Sequence, residues 1–217
     1  MRTRTYLAQV GTIWLAVLLV ACRQEEPQGK EYAAPVAPEA MSHDLGPFFQ
    51  AETAMYDNMR AAVGTSSDDS WARMMIAHHR GGAAISRVVL EEDPPPRIAD
   101  LAGRTVQAQE KAVRDLEELL REGAPDVEGA LNFLEPMRDM HETMMAVEGS
   151  NACVVWLHKM IEHHRGAIEM SDVLLQQPGI SEDTVRAVRA LQNGQRTDMQ
   201  ALEQALADLK PLQGCGS

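Results

Sequence analysis

Met160-Ile161-Glu162-His163-His164-Arg165-Gly166-Ala167 is the stretch from which the fold can be read. A near copy, Met75-Ile76-Ala77-His78-His79-Arg80-Gly81-Gly82, stands 85 residues earlier. The same spacing pairs Trp71 with Trp156, Met55 with Met140 and Met59 with Met144. A period this long, kept through Trp, Met, His and Gly alike, is an internal duplication. Four of the chain's 7 histidines lie in the two octapeptides, so the duplication and the chemistry coincide.

Around each octapeptide the apolar residues recur with helical spacing, and no sustained alternation of apolar and polar residues competes with it. In the first half, the pattern predicts a short helix over 47–63 and a break at Gly64-Thr65-Ser66-Ser67. A motif helix follows from Trp71 to about Glu92, capped by Asp68, Asp69 or Ser70. Asp93-Pro94-Pro95-Pro96 must end it, because proline lacks an amide and disfavours helix in the residue before it. A return helix runs over 97–121, with Ile98, Leu101, Val106, Val113, Leu116 and Leu120 as its apolar stripe. The second half repeats the plan, with a short helix over 135–147, a motif helix over 152–176 and a return helix over 181–209. Turns of a few residues between long helices force antiparallel neighbours. The expected fold is therefore all-α: two duplicated helical hairpins, each preceded by a shorter helix, packed as a four-helix bundle. The bundle domain spans 45–217, with repeat one at 45–124 and repeat two at 130–210.

The beginning of the chain reads differently. Arg2 and Arg4 precede a mostly apolar run that ends in Leu19-Val20-Ala21-Cys22. The run is too short for a comfortable membrane span, and the order of charge, apolar run, small residue and Cys resembles a bacterial lipoprotein leader over 1–21. That resemblance makes Cys22 the lipidation site and puts the protein in the cell envelope, tied to a membrane through its N-terminal lipid. Residues 22–44, with Pro27, Pro35 and Pro38 among Glu, Gln and Ala, read as a solvated tether. The net charge of −12 grows more negative once Arg2 and Arg4 leave with the leader, which argues against nucleic acid as a partner. Cys153 and Cys215 are either a disulfide permitted by export or two separate thiols.

On a helix, residues three and four apart share a face. Met75 thus stands beside His78 and His79, and Met160 beside His163 and His164, with Met74 and Met170 near by. Met140 and His141 on the short helix of the second half join the candidate ligands. Neighbouring histidines diverge by about 100°. Only one of each pair can face the bundle axis, and the other lies at a helix seam or in solvent. Gly81-Gly82 and Gly166-Ala167 leave room for a close partner. Carboxylate-bridged di-iron bundles use Glu-x-x-His, but here the residue three before His78 or His163 is Met. Thioether in place of carboxylate shifts the preference from iron toward Cu(I) or Ag(I), while imidazole accepts either copper oxidation state. His-Glu-x-x-His, a phosphate-binding loop and a Gly-x-Ser-x-Gly elbow are all absent from the sequence. Glu162 and Glu169 read as solvated or supporting carboxylates, and Arg80 and Arg165 as ion-pair partners of acids on a neighbouring helix.

Met160 to Met170 resembles the signature of the bacterial family known as domain of unknown function 305, Met-Ile-x-His-His-x-Gly-Ala followed by an acid and Met. The first copy departs from it after Gly81, having Gly82-Ala83-Ala84-Ile85. Gln195-Arg196-Thr197-Asp198-Met199 resembles a second family segment, and Gln109 or Gln107 marks its weaker counterpart in the first half. The resemblance implies a ferritin-like helical fold and an exported protein, from a family with copper-binding members. The combined expectation is copper sequestration or delivery through His78, His79, His163, His164, Met75 and Met160. A redox metalloenzyme with an open coordination position, or an envelope interaction module without metal, are the rival expectations.

Overall fold

The computed structural model describes residues 46–209 and Cys215, and all that follows concerns those residues. The leader, the tether and Cys22 lie outside them. Seven helices are present among the described residues: α1 (Phe49–Ala61), α2 (Ser67–Glu91), α3 (Pro96–Glu117), α4 (Val127–Leu131), α5 (Leu134–Met145), α6 (Ala152–Leu175) and α7 (Glu182–Asp208). No strand is found there, and no helix is long and apolar enough to cross a membrane. The expected all-α architecture stands. Hairpins α2–α3 and α6–α7 make a four-helix bundle, with α1 and α5 as the shorter preceding helices.

Local chemistry explains most helix ends. Ser66, not the expected Asp68, Asp69 or Ser70, caps α2 by accepting from the Asp69 amide. Asn151 caps α6 through the Val154 amide, and Ser181 caps α7 through the Thr184 amide. Pro96 takes the first turn of α3, where its missing amide costs nothing. Two further corrections concern the segment after α3, the first of them set by tertiary contacts. Helix α3 stops at Glu117 rather than Arg121, because the Arg121 amide donates to Asp69 Oδ1 and its carbonyl accepts from Arg73. The one-turn helix α4 was not expected; Asp126 caps it through the Gly129 amide.

The two motif helices form the centre. Helix α2 packs on α3, α6 on α7, and α2 and α6 on each other, while α1 and α5 cover the opposite side. Ser86, two turns after His78, meets the indole of Trp156, two turns before His163, so α2 and α6 run antiparallel. The duplication appears in space as a pseudo-two-fold axis. His78 stacks on His163 at 3.6 Å between ring centroids. Tyr56 stacks on His141, its own counterpart at the same 85-residue spacing, at 4.1 Å. Phe48 and Phe133, Met55 and Met140, Trp71 and Trp156 are further buried counterparts. Gly81 and Gly166 serve this packing. A Cβ at Gly81 would run into Met55, and one at Gly166 into Met140, so each glycine lets a short helix lie against a motif helix.

One feature breaks the symmetry. Lys159 and Glu52 are both buried and paired, with Nζ 2.9 Å from one carboxylate oxygen and donating to the Met144 carbonyl at 2.7 Å. Their counterparts in the other half are Met74 and Met137, also buried. A buried ion pair in one half therefore stands where two thioethers stand in the other. Cys153 and Cys215 are disulfide-bonded, which tethers a residue beyond α7 to the start of α6.

Candidate metal centre

Burial is the first surprise of the octapeptides. All four motif histidines are no more than 1% exposed, so the solvent-facing alternative for the second ring of each pair does not occur. The divergence of adjacent rings is seen as expected. His78 and His79 meet edge to face at 81°, His163 and His164 at 63°. His78 and His163 face each other across α2 and α6, while His79 and His164 turn toward α3 and α7. Gly82 is needed for this, since a Cβ there would collide with the His163 ring.

Each ring has one nitrogen engaged and one without a partner. His78 Nε2 donates to the His163 carbonyl at 3.0 Å. His79 Nδ1 donates to Gln109 Oε1, and His164 Nδ1 to the Met160 carbonyl at 2.8 Å. His163 Nε2 faces the Gln109 amide nitrogen at 3.5 Å, the outer limit of a hydrogen bond. The second nitrogen of every ring, Nδ1 of His78 and His163 and Nε2 of His79 and His164, is buried and unpartnered. For His78, His79 and His164 an oxygen acceptor on one nitrogen fixes the proton there and leaves a bare lone pair on the other. Metal-ligating histidines are held in that way. At His163, by contrast, the Gln109 amide is a donor and the lone pair is on Nε2.

Electrostatics keep the rings in the ligand form. Burial first, and the neighbouring rings after it, hold His78 and His163 well below the ordinary histidine range. Burial also lowers His79 to about 4, against opposing contributions from Gln109 and Asp198. These three rings are neutral at pH 7. One ring nitrogen from each of His78, His79 and His163 lies within 4.8 Å of the others. Ligands about 2.0–2.1 Å from one ion in tetrahedral geometry are about 3.3 Å apart, so the three nitrogens would have to draw closer to share one ion.

The other expected ligands are placed unevenly. Met74, Met75, Met160 and Met170 are buried on the motif helices, but Met160 Sδ accepts from Ser86 Oγ at 3.8 Å. Met140 packs on Gly166, and His141 stacks on Tyr56 between α1 and α5, away from the imidazole cluster. Glu169 is exposed. Arg80 pairs with Glu117 on α3 as expected, whereas Arg165 pairs with Glu162 on its own helix. Three residues that frame the cluster were not among the expected ligands: Gln109 on α3, and Gln195 and Asp198 on α7. A signal existed for the glutamines. Gln109 interrupts the apolar stripe of α3 and Gln195 that of α7, and both are buried.

The profile of the family described as "Domain of unknown function (DUF305)" matches residues 18–120 and 130–206. The chain belongs to this family. A crystal structure of a DUF305 fragment from Deinococcus radiodurans is similar in fold, with a TM-score of 0.50 and 21% identity. The match covers 68% of this chain and 99% of the fragment. No curated protein matches the sequence. The DUF305 helical fold is thus common to both chains, while what the imidazole cluster does has to be argued from its own chemistry.

Proposed function

We propose that this DUF305 protein binds a transition-metal ion, copper above all, in its buried imidazole cluster, and that it stores or hands on the ion without catalysis. The observation that carries this reading is the set of four buried ring nitrogens with no hydrogen-bond partner. A buried polar atom left unsatisfied costs about 1–3 kcal/mol. Four of them, three on the His78, His79 and His163 group and one on His164, are a large fraction of a typical net stability of about 5–15 kcal/mol. A metal ion turns that cost into binding energy. Imidazole suits copper in either oxidation state, and Met75 and Met160, one turn away on the same helices, offer thioethers that favour the reduced or silver ion. The engagement of Met160 by Ser86 makes imidazole the main donor and thioether an accessory.

The disulfide between Cys153 and Cys215 supports an oxidising compartment, consistent with the lipoprotein-like leader and an envelope location. The membrane link would run through a lipid on Cys22.

Metal analysis and chelator competition on purified protein test the proposal. Copper should bind stoichiometrically and fall away when His78, His79, His163 and His164 are all changed to Ala, provided circular dichroism shows that the variant remains helical. Met75→Leu with Met160→Leu should weaken Cu(I) more than Cu(II). Undiminished copper in the four-histidine variant would sink the assignment. Waters filling the cluster would then be the better account of the unpartnered nitrogens.

A further inference from the structure

Helices α3 and α7 touch only sparsely, and the gap between them is a crevice of about 180 Å³. His79, Gln109, Gln195 and Asp198 line it, beside the Lys111–Asp115 ion pair, so it reaches the buried edge of the imidazole cluster at His79. Three polar atoms, two in its lining and one on His164 next to Asp198, are buried without partners. Gln195 Oε1 and His79 Nε2 are buried and have no partner. His164 Nε2 is likewise buried and unpartnered, and Asp198 Oδ2 lies 3.6 Å from it. That separation is too long for a hydrogen bond. It is close to the spacing of two ligands on one ion, about 3.3 Å in a tetrahedral site. The Asp198 side chain is 46% exposed and so reaches solvent and the crevice together.

We propose that this crevice is a second, outer cation site, in which His164 Nε2, the Asp198 carboxylate and Gln195 Oε1 take a divalent transition-metal ion before it passes inward. The inference rests on the imidazole cluster being a metal site. The donors differ in kind from the inner ones, with one nitrogen and two oxygens against three nitrogens. A mixed nitrogen and oxygen set suits Cu(II) or Zn(II) and gives little to a soft monovalent ion. His79 lines the crevice and also belongs to the inner group with His78 and His163, so its ring is the point of transfer between the two. The carboxylate adds a steering charge at the mouth of a neutral cluster, which raises the local cation concentration.

Copper(II) sulfate titrated into the full chain, followed by electron paramagnetic resonance and by stopped-flow quenching of Trp fluorescence, tests the outer site. Asp198→Asn keeps the shape, removes the charge and sits at the surface, so folding is not at stake; an unchanged thermal melt checks this. The expected result is a mixed nitrogen and oxygen signal in the wild type that shifts toward all-nitrogen in Asp198→Asn. Loading should slow by about tenfold or more, the size of effect a steering charge has on an association rate, while the final copper content of the inner cluster is kept. Equal spectra and equal loading rates would overturn the outer site and leave the inner one standing. Failure of the wild type to bind Cu(II) would overturn the outer site, and failure to bind Cu(I) as well would overturn both.

Discussion

Lowering the pH from 7.5 to 5 should destabilise the metal-free protein through its buried histidines, and His79 allows the size to be worked out. Its ring titrates at about 4 in the folded chain against an ordinary 6.5. Between those values the unfolded state binds more protons than the folded one, so stability is complete above about 6.5 and is lost as pH falls. For a ring with these two values, the loss at pH 5 is about 2 kcal/mol. His78 and His163, held well below the ordinary range by burial and by their neighbours, act in the same direction. Glu52 acts against them. Desolvation raises its carboxyl above 4.5 despite Lys159, so its contribution grows as pH falls through the raised value. A comparison that cancels Glu52 isolates His79 together with its effect on the neighbouring rings. Urea unfolding, followed by the fluorescence of buried Trp71 and Trp156, should be run at both pH values on the wild type and on His79→Leu. Leucine leaves Gln109 Oε1 without its donor, but that cost does not depend on pH. The variant should lose about 2 kcal/mol less than the wild type between pH 7.5 and 5. Equal losses in the two proteins would refute the claim that a buried neutral imidazole at position 79 sets the acid sensitivity.

Two further outcomes follow from the packing. Lys159→Met alone strands a buried carboxylate and should cost about 3–5 kcal/mol in chemical denaturation, whereas Lys159→Met with Glu52→Met should recover most of it. The double variant rebuilds in one half the Met74 and Met137 arrangement already present in the other, so a double variant as unstable as the single one would show that the counterpart positions are not equivalent. Gly81→Ala and Gly166→Ala should each destabilise by about 1–3 kcal/mol, because the added methyl meets Met55 or Met140 close to the backbone. Gly103→Ala meets nothing within 4 Å and should instead stabilise α3 by about 0.5–1 kcal/mol; melting temperatures distinguish the two signs.

Much of this protein is determined by neighbours along the chain. Helix positions follow from a 3.6-residue apolar rhythm, from Ser and Asn caps and from Pro94 to Pro96, all local features that act before any long-range contact forms. The duplication makes the four histidines and their glycines equivalent in pairs, and so announces a symmetric centre. Tertiary structure decided the rest. Only packing of α2 on α6 could say that His78 and His163 stack while His79 and His164 turn to the outer helices, since adjacent positions share no face. Only that packing separates His141 from the cluster and brings it to Tyr56. The Arg121 end of α3 was lost to Asp69 and Arg73, and Lys159 found Glu52 across more than 100 residues. Helical rhythm records which side of an element is buried. Which atoms it is buried against depends on a partner whose distance along the chain the rhythm does not carry.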